Sequence, residues 1–452
     1  MVTHSIGDRT QKTKLERIGD RAASHPNTVF NNLGHVVDID LLRESYQNLD
    51  GKRAVGIDLV TKAAYGVDLE NNLQSLLNRI RRNVYKPQTS RMVEIPKEDG
   101  STRPLAISCF EDKIVQQTVS SILTRVYEPL FLSCSYGYRP GKSGHDALRA
   151  LMKYSNENAD GATVEIDLRK YFNSIPHAAL MEILKQKITD KRFLKLTETL
   201  IRAPILEDGI GVPNTRGCPQ GSKISPILSN IYLHHVIDDW FKTISKTHIA
   251  GKASMVRFAD DMVFVFQHKA EAERFYEVLP KRLTKFGLTL HEDKSSIIES
   301  GRRAAQRANE RKERLQTYKF LGFQCYWGLS RVGFWRLKYK SRSDRLTAKL
   351  NGLKAYLNKS LHHKTEHVLS KVKQIVQGWI NYHAISDNQR QVGGFIYQSR
   401  RILMKWINRK GGKRKMNWKT FTRILEKMKY PHGYKTTSMF STGTKEGYKP
   451  LA

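Results

Sequence analysis

At 452 residues the chain is too long for one compact unit, and two or three domains are expected. Hydrophobic residues make up 39% and mean hydropathy is −0.52, enough to build a core. No apolar run of about 18 residues marks a membrane span, and the N-terminal stretch carries acids without the apolar segment of a secretory signal. Four scattered cysteines, Cys109, Cys134, Cys218 and Cys325, form no C-x-x-C pair. Neither a zinc knuckle nor a disulfide framework is expected, and a reducing cytoplasm is the expected setting.

Charge is the strongest bulk signal. Lys and Arg number 77 against 43 Asp and Glu, a net of +34. Residues 1–300 hold 42 basic and 36 acidic side chains, a net of +6, while residues 301–452 hold 35 and 7, a net of +28. A surface of that kind suits a polyanion whose counterions it displaces; a merely soluble basic protein or a membrane-surface binder is the plainer alternative. Tyr326, Trp327, Trp335, Tyr339, Trp379, Tyr382, Trp406 and Trp418 interleave with the charge and suit base stacking as well as packing.

In chain order, residues 1–50 read as helical segments ahead of the main domain, with apolar residues at helical spacing in LERIGDRAA and IDLLRESYQNL. Residues 51–300 mix helices with short β runs, RMVEIP, DGSTRPLAI, GATVEIDL and SMVRFADDMVFVF. That mixture predicts an α+β domain on an antiparallel sheet. GRRAAQRANERKER (301–314) reads as a basic linker or a solvated helix, and TYKFLGFQCYWG with GFWRLKYK as a further hairpin. Residues from Ser343 to His383 carry a basic helical pattern expected to form a bundle, and 396–452 a last basic segment with a polar tail.

The chemistry gathers around acids. In Phe258-Ala259-Asp260-Asp261, two apolar β runs flank a tight turn that puts adjacent carboxylates at a hairpin tip. Such a pair wants cations, and magnesium is the natural partner of carboxylate oxygens, although an ordinary Asp turn would look the same. Asp167 closes the strand Thr163-Val164-Glu165-Ile166, 93 residues upstream of Asp260. Carboxylates from separate strands are what two-metal phosphoryl transfer needs.

Nine blocks extend this pattern: IPKEDGSTRPLAIS (95–108), EDKIVQQTV (111–119), CSYGYRPGKSGHDAL (134–148), VEIDLRKYFNSIPH (164–177), GCPQGSKISPILSNIYLHHVID (217–238), VRFADDMVFVF (256–266), GLTLHEDKS (287–295), YKFLGF (318–323) and QGWINYH (377–383). In this order they resemble the group II intron-encoded reverse transcriptase/maturase proteins of bacteria.

The resemblance implies an α+β right-hand polymerase with fingers, palm, a helical thumb and a small basic C-terminal domain. The expected division is 1–50 for an N-terminal helical extension, 51–305 for fingers and palm, 306–395 for the thumb and 396–452 for a basic DNA-binding segment. It implies an RNA-directed DNA polymerase that copies intron RNA from a 3′-OH primer and assists splicing as a maturase. Two Mg²⁺ ions would be held by Asp167, Asp260 and Asp261, with Mn²⁺ able to substitute.

Lys97 and Arg103 match the clamp on the incoming triphosphate, and Phe172, otherwise a core aromatic, matches the residue that excludes a ribose 2′-OH. Gln220 and Gly221, after Pro219, match the segment against the nascent base pair. Lys294 matches the lysine that protonates pyrophosphate, and Gly322 the primer-grip hairpin. Arg139 in YGYRPG is a template or a structural contact.

Expected partners are group II intron RNA, a DNA target or primer, and dNTPs, in a bacterial cytoplasm and away from membranes, with oligomeric state open. A domesticated, intron-free relative in DNA repair or phage defence is the alternative. The sequence departs from the family at Phe258, where Tyr is common, and at Ser222 and Lys223 after Gly221. No Cys/His-rich nuclease module is visible.

Overall fold

The computed structural model describes residues 6–96, 102–207, 209–411 and 415–440, and the chain divides into two compact units. Lys97 and the tail from 441 lie outside the described residues. No described helix is long and apolar enough to cross a membrane, and the four cysteines, all described, form no disulfide.

The first unit comprises residues 1–147, 164–264 and 270–297. Its centre is the helix Phe110–Tyr127, which buries eleven of its residues, Ile114, Val119 and Val126 among them. The helices Ile6–Ser24 and Ile39–Asn48 pack on it. Thr118 donates to Ser45 across that contact at 2.8 Å, and Asp38 caps the second helix by accepting from the Leu41 amide. The N-terminal stretch is therefore helical as expected, and it is built into the same core. Strands β1 (Arg91–Pro96) and β2 (Thr102–Ile107) pair antiparallel from Arg91↔Ile107 to Pro96↔Thr102, and β4 (Ile205–Glu207) pairs with β5 (Ile210–Val212).

A four-stranded sheet carries the acids. β3 (Ala162–Ile166), β6 (Ala253–Phe258), β7 (Asp261–Phe266) and β8 (Ser296–Glu299) lie in the order β6-β7-β3-β8. Inner strand β7 buries every residue from Met262 to Phe266, which explains its unbroken apolar run where an edge strand would alternate. The helix Lys269–Lys285 packs behind it, with the Phe275 ring 4.6 Å from Phe264, and Phe241 closes the cluster 4.9 Å from Phe264.

The second unit comprises residues 148–163, 265–269 and 298–452. The expected hairpin is a three-stranded sheet, β9 (Tyr318–Phe320), β10 (Phe323–Leu329) and β11 (Trp335–Ser341), in the order β11-β10-β9. Residues 301–314 are helical, as one of the two readings expected, but the helix is solvated on one face only. They contain the helix Arg302–Glu310, which buries Ala304, Ala305 and Ala308 and meets β10 and β11. Small alanines at i, i+1 and i+4 let the helix lie close on the sheet while its arginines stay in water.

The helices expected between Ser343 and His383 are present as Ser343–Lys359 and Thr365–His383, and Gln389–Lys410 and Trp418–Lys427, not expected as part of the bundle, join them. Residue 396 falls inside the third helix, and Phe395, Ile396, Leu403, Trp406, Phe421 and Leu425 join Leu353, Val372 and Trp379 in one core. Three of the eight aromatics interleaved with charge are buried in packing, and Tyr326, Trp327, Trp335 and Tyr382 are half-buried. Tyr339 is fully buried, and Trp379 and Trp406 are nearly so. Trp379 stacks on His383 at 3.7 Å, and the Trp406 indole donates to the Leu357 carbonyl at 2.6 Å. Trp418 is exposed.

Candidate active site

Asp167 follows β3, and the segment 291–295 holds its backbone. Its amide donates to the Ser295 hydroxyl at 3.1 Å, and its carbonyl accepts from the His291 amide at 2.9 Å. Lys294, exposed and next to Ser295, is thereby tethered within a residue of the group that orients Asp167.

Asp260 occupies the two-residue turn between β6 and β7, beside Ala259 in the left-handed region (φ 57°). Such a conformation costs a non-glycine residue about 1–3 kcal/mol and persists only where the surroundings impose it. Burial pushes the Asp260 carboxyl above its ordinary value, and the nearby Asp167 charge adds to the rise. A backbone hydrogen bond and the positive charges of Arg103 and Arg257 oppose it.

The fold thus brings Asp167, Asp260 and Arg103 within electrostatic reach of one another. Asp261 is the exposed first residue of β7. Among the described residues no three His, Cys, Asp or Glu side chains are gathered to hold a metal ion as they stand. The donor set nonetheless fits a hard divalent cation. The described cations leave the Asp260 carboxyl raised, so its burial and the Asp167 repulsion are not fully offset.

Phe172 and the Pro219–Gly221 segment interlock. Phe172 sits in the short helix Tyr171–Ser174, its ring 5.4 Å from Tyr171, and its carbonyl accepts from the Cys218 amide at 2.7 Å. Tyr171 is nearly fully buried and donates to the Ser229 carbonyl at 2.8 Å, which anchors the half-buried Phe172. The Gln220 carbonyl accepts from the Ala106 amide on β2 at 2.7 Å. At Gly221 (φ 104°) a β-carbon would stand 2.7 Å from the Ala106 carbonyl oxygen, so only glycine fits. These contacts fix β2, and with it Arg103 three residues before Ala106.

Arg139 is a structural contact. Its guanidinium is nearly fully buried and pairs with Glu128, and it donates to the carbonyls of Leu132 and Ser135 at 2.7 and 2.8 Å. Two residues that sequence reasoning did not single out surround the acids. Tyr138 is 55% exposed and left-handed (φ 56°). Its phenol is pushed up by burial and by Asp260 and Asp261, with Arg103 opposing. Arg257 on β6 is wholly buried. A charge inside an apolar β run signals a buried partner, but that partner, Asp238, lies on a different element.

In the second unit, Gly322 (φ 82°) turns the chain from β9 to β10 after left-handed Leu321. The Leu321 carbonyl accepts from the Tyr382 hydroxyl at 2.7 Å, and a β-carbon on Gly322 would meet Arg345 at 2.7 Å.

Asp167 after β3 and Asp260 in the β6–β7 turn lie within electrostatic reach of each other and of Arg103, the kind of arrangement metal-assisted phosphoryl transfer uses. The family described as reverse transcriptase (RNA-dependent DNA polymerase) matches residues 95–325, just over half of the chain, and the chain belongs to it. It is 33% identical over 227 residues to the group II intron-encoded protein LtrA of Lactococcus lactis subsp. cremoris, across 49% of this chain and 37% of the relative. It is 33% identical over 211 residues to protein YkfC of Escherichia coli (strain K12), across 46% and 54%. A third relative is the uncharacterized 91 kDa protein in cob intron of Schizosaccharomyces pombe, 33% identical over 239 residues, across 51% and 29%. The chain thus spans between 29% and 54% of the length of these relatives.

Proposed function

We propose that the protein is an RNA-directed DNA polymerase that copies group II intron RNA from a 3′-OH primer, and that it also binds that structured RNA as a maturase. The observation that carries this reading is the convergence of Asp167, Asp260 and Arg103, flanked by the Phe172–Cys218 and Gln220–Ala106 locks.

Asp167 and Asp260, with Asp261 as a third donor, would hold two Mg²⁺ ions. When bound, the ions activate the primer hydroxyl and stabilise charge on the transferred phosphate. Arg103, with Lys97, would grip the triphosphate, since cations offset charge on phosphate oxygens. Phe172 would close the space a 2′-OH needs, and Gln220 and Gly221 would support the base pair. Lys294, tethered through Ser295, would give a proton to the departing pyrophosphate, and Gly322 would shape the primer grip. The basic second unit would hold RNA by its backbone and shape.

The test is primer extension on an RNA template with dNTPs and Mg²⁺, run beside splicing of the RNA flanking the gene. Wild-type protein should do both, and an Asp260→Ala, Asp261→Ala double variant should lose extension while keeping splicing. A wild type that extends no primer would overturn the polymerase reading.

Two further results are expected. Gly221→Ala should slow extension about tenfold or more, because backbone rather than a flexible side chain blocks its β-carbon; an unchanged initial rate would separate this turn from catalysis. RNA affinity should fall steeply with salt. With about six phosphate contacts at a slope of about −0.7 each, doubling the salt costs roughly twentyfold in affinity. Replacing the exposed Arg390, Arg401, Lys405 and Arg409 of the helix Gln389–Lys410 by Gln should lower that slope, and an unchanged slope would place the RNA on another face.

A further inference from the structure

Among the described residues, the largest fully buried side chain is an arginine that the proposed reaction leaves unused. Arg257 donates from Nε and Nη2 to the two carboxylate oxygens of Asp238, at 2.7 and 2.6 Å. Its Nη1 donates at 3.0 Å both to the Asn230 side-chain oxygen and to the Ala259 carbonyl. Asn230 passes the connection on, donating from Nδ2 to the Gly137 carbonyl at 2.7 Å. The backbone of Arg257 pairs with Cys134 and Tyr136 at 2.8 Å each. One buried unit therefore bonds the turn that carries Asp260 on one side and the turn that leads into Tyr138 on the other.

Two features argue that this unit is built for placement. Ala259 and Tyr138 are both left-handed, at φ 57° and 56°, conformations that survive only where neighbours over-determine them. The two turns touch directly, for a β-carbon on Gly137 would stand 2.2 Å from the Ala259 nitrogen.

The second feature is helical register. Asn230 and Asp238 are eight residues apart, and a regular helix would leave them about 80° out of line (about 100° per residue). The chain between them makes a π-helical turn, His234–Asp238. Its extra residue takes back about 100°, which brings both side chains to nearly one face. That is what lets a single guanidinium meet both. Net stability does not explain such a pair, because apolar residues of equal volume often serve a buried core as well.

We infer that Asp238, Arg257 and Asn230 form a positioning unit that holds the Asp260 turn and the Tyr138 turn in one fixed arrangement without touching substrate. The inference rests on the polymerase reading, and its test separates the two.

Asn230→Ala leaves the Asp238–Arg257 pair intact and removes only the bridge. Amide hydrogen exchange measured by mass spectrometry should quicken in peptides covering 134–140 and 256–262 and stay at wild-type rates elsewhere. In primer extension, kcat should fall about ten- to hundredfold, the scale of a displacement of about 1 Å at a reacting centre, while KM for dNTP stays within about twofold. An Arg257→Met, Asp238→Leu double variant, which fills the same space with apolar atoms, should keep the wild-type melting temperature and show the same split between kcat and KM. Should that double variant fail to fold, Asn230→Ala alone decides.

Wild-type exchange at both turns in Asn230→Ala would overturn the inference, as would loosened turns with wild-type kcat. Faster exchange throughout the chain, with a lower melting temperature and unchanged kcat in the folded fraction, would make the unit merely structural. A wild type without primer extension counts against the polymerase reading, and the exchange comparison still decides whether the unit holds the turns.

Discussion

Asp260→Ala and Asp167→Ala proteins should fold and lose primer extension by about a thousandfold or more. Charge stabilisation by a bound divalent ion is worth several kcal/mol at the transition state, and about 4 kcal/mol corresponds to roughly a thousandfold in rate. Folding should survive for a reason visible in the site. Burial, with Asp167 nearby, raises the Asp260 carboxyl in the folded protein. The folded state therefore holds its proton to higher pH than the unfolded state does.

Stability is highest below the unfolded pKa and falls as pH rises through the window up to the folded pKa, where the ionised group costs stability. At neutral pH, without divalent ions, Asp260→Ala should melt no lower than wild type. Adding Mg²⁺ or Mn²⁺ should raise the melting temperature of wild type, since a ligand that binds only the folded state stabilises it, and should leave Asp260→Ala unmoved. Melting curves with and without the ion read this independently of activity. Full extension by either variant would remove these carboxylates from the chemistry.

Phe172→Val should lower discrimination against ribonucleotides by about 10- to 200-fold, the range that steric fit in an apolar pocket supplies. The proposed gate role of Phe172 would rest on a well-anchored base. Tyr171 beside it is buried and bonded to Ser229, and the Phe172 carbonyl is held by Cys218. The ring is only half-buried, so shrinking it should change melting little. Single-nucleotide incorporation with dNTP and rNTP on the same primer gives the ratio. An unchanged ratio, with a lowered melting temperature, would make Phe172 a core aromatic only.

The bundle also changes how the basic C-terminal segment should be probed. Removing 396–452 would take out Ile396, Leu403, Trp406, Phe421 and Leu425, all part of the core built by the preceding helices. Loss of RNA binding in such a truncation would report unfolding, and charge substitutions on the exposed face of the helix Gln389–Lys410 report contact instead.

Local pattern was legible in the sequence wherever an element satisfies itself. The β6–β7 hairpin was readable because two apolar β runs flank a two-residue turn, and the β1–β2 pairing because period-2 runs flank Gly100. The acids could be named from the paired carboxylates of Asp260-Asp261 and from Asp167 at a strand end, whereas Phe172 and Pro219-Gln220-Gly221 were singled out only by the family resemblance. The bundle was visible in its 3.6-residue apolar period. Charge was legible as a total, and its concentration after residue 300 is a property of the sequence alone.

Tertiary structure decided what depends on partners distant in the chain. The same Arg-in-a-motif signal describes Arg139 and a template contact, and only the Glu128 pairing and the carbonyls around it identify a clamp. Tryptophans among lysines suit stacking or packing equally well until the helices close over Trp379 and Trp406. The acids were nameable from sequence, but Asp167 meets Asp260 only because β7 lies between β6 and β3 in the sheet. The Arg257 unit was hidden for the same reason. Its meaning lies in a helix register shifted by one residue and in a carbonyl of a strained turn, and neither exists before the chain is folded.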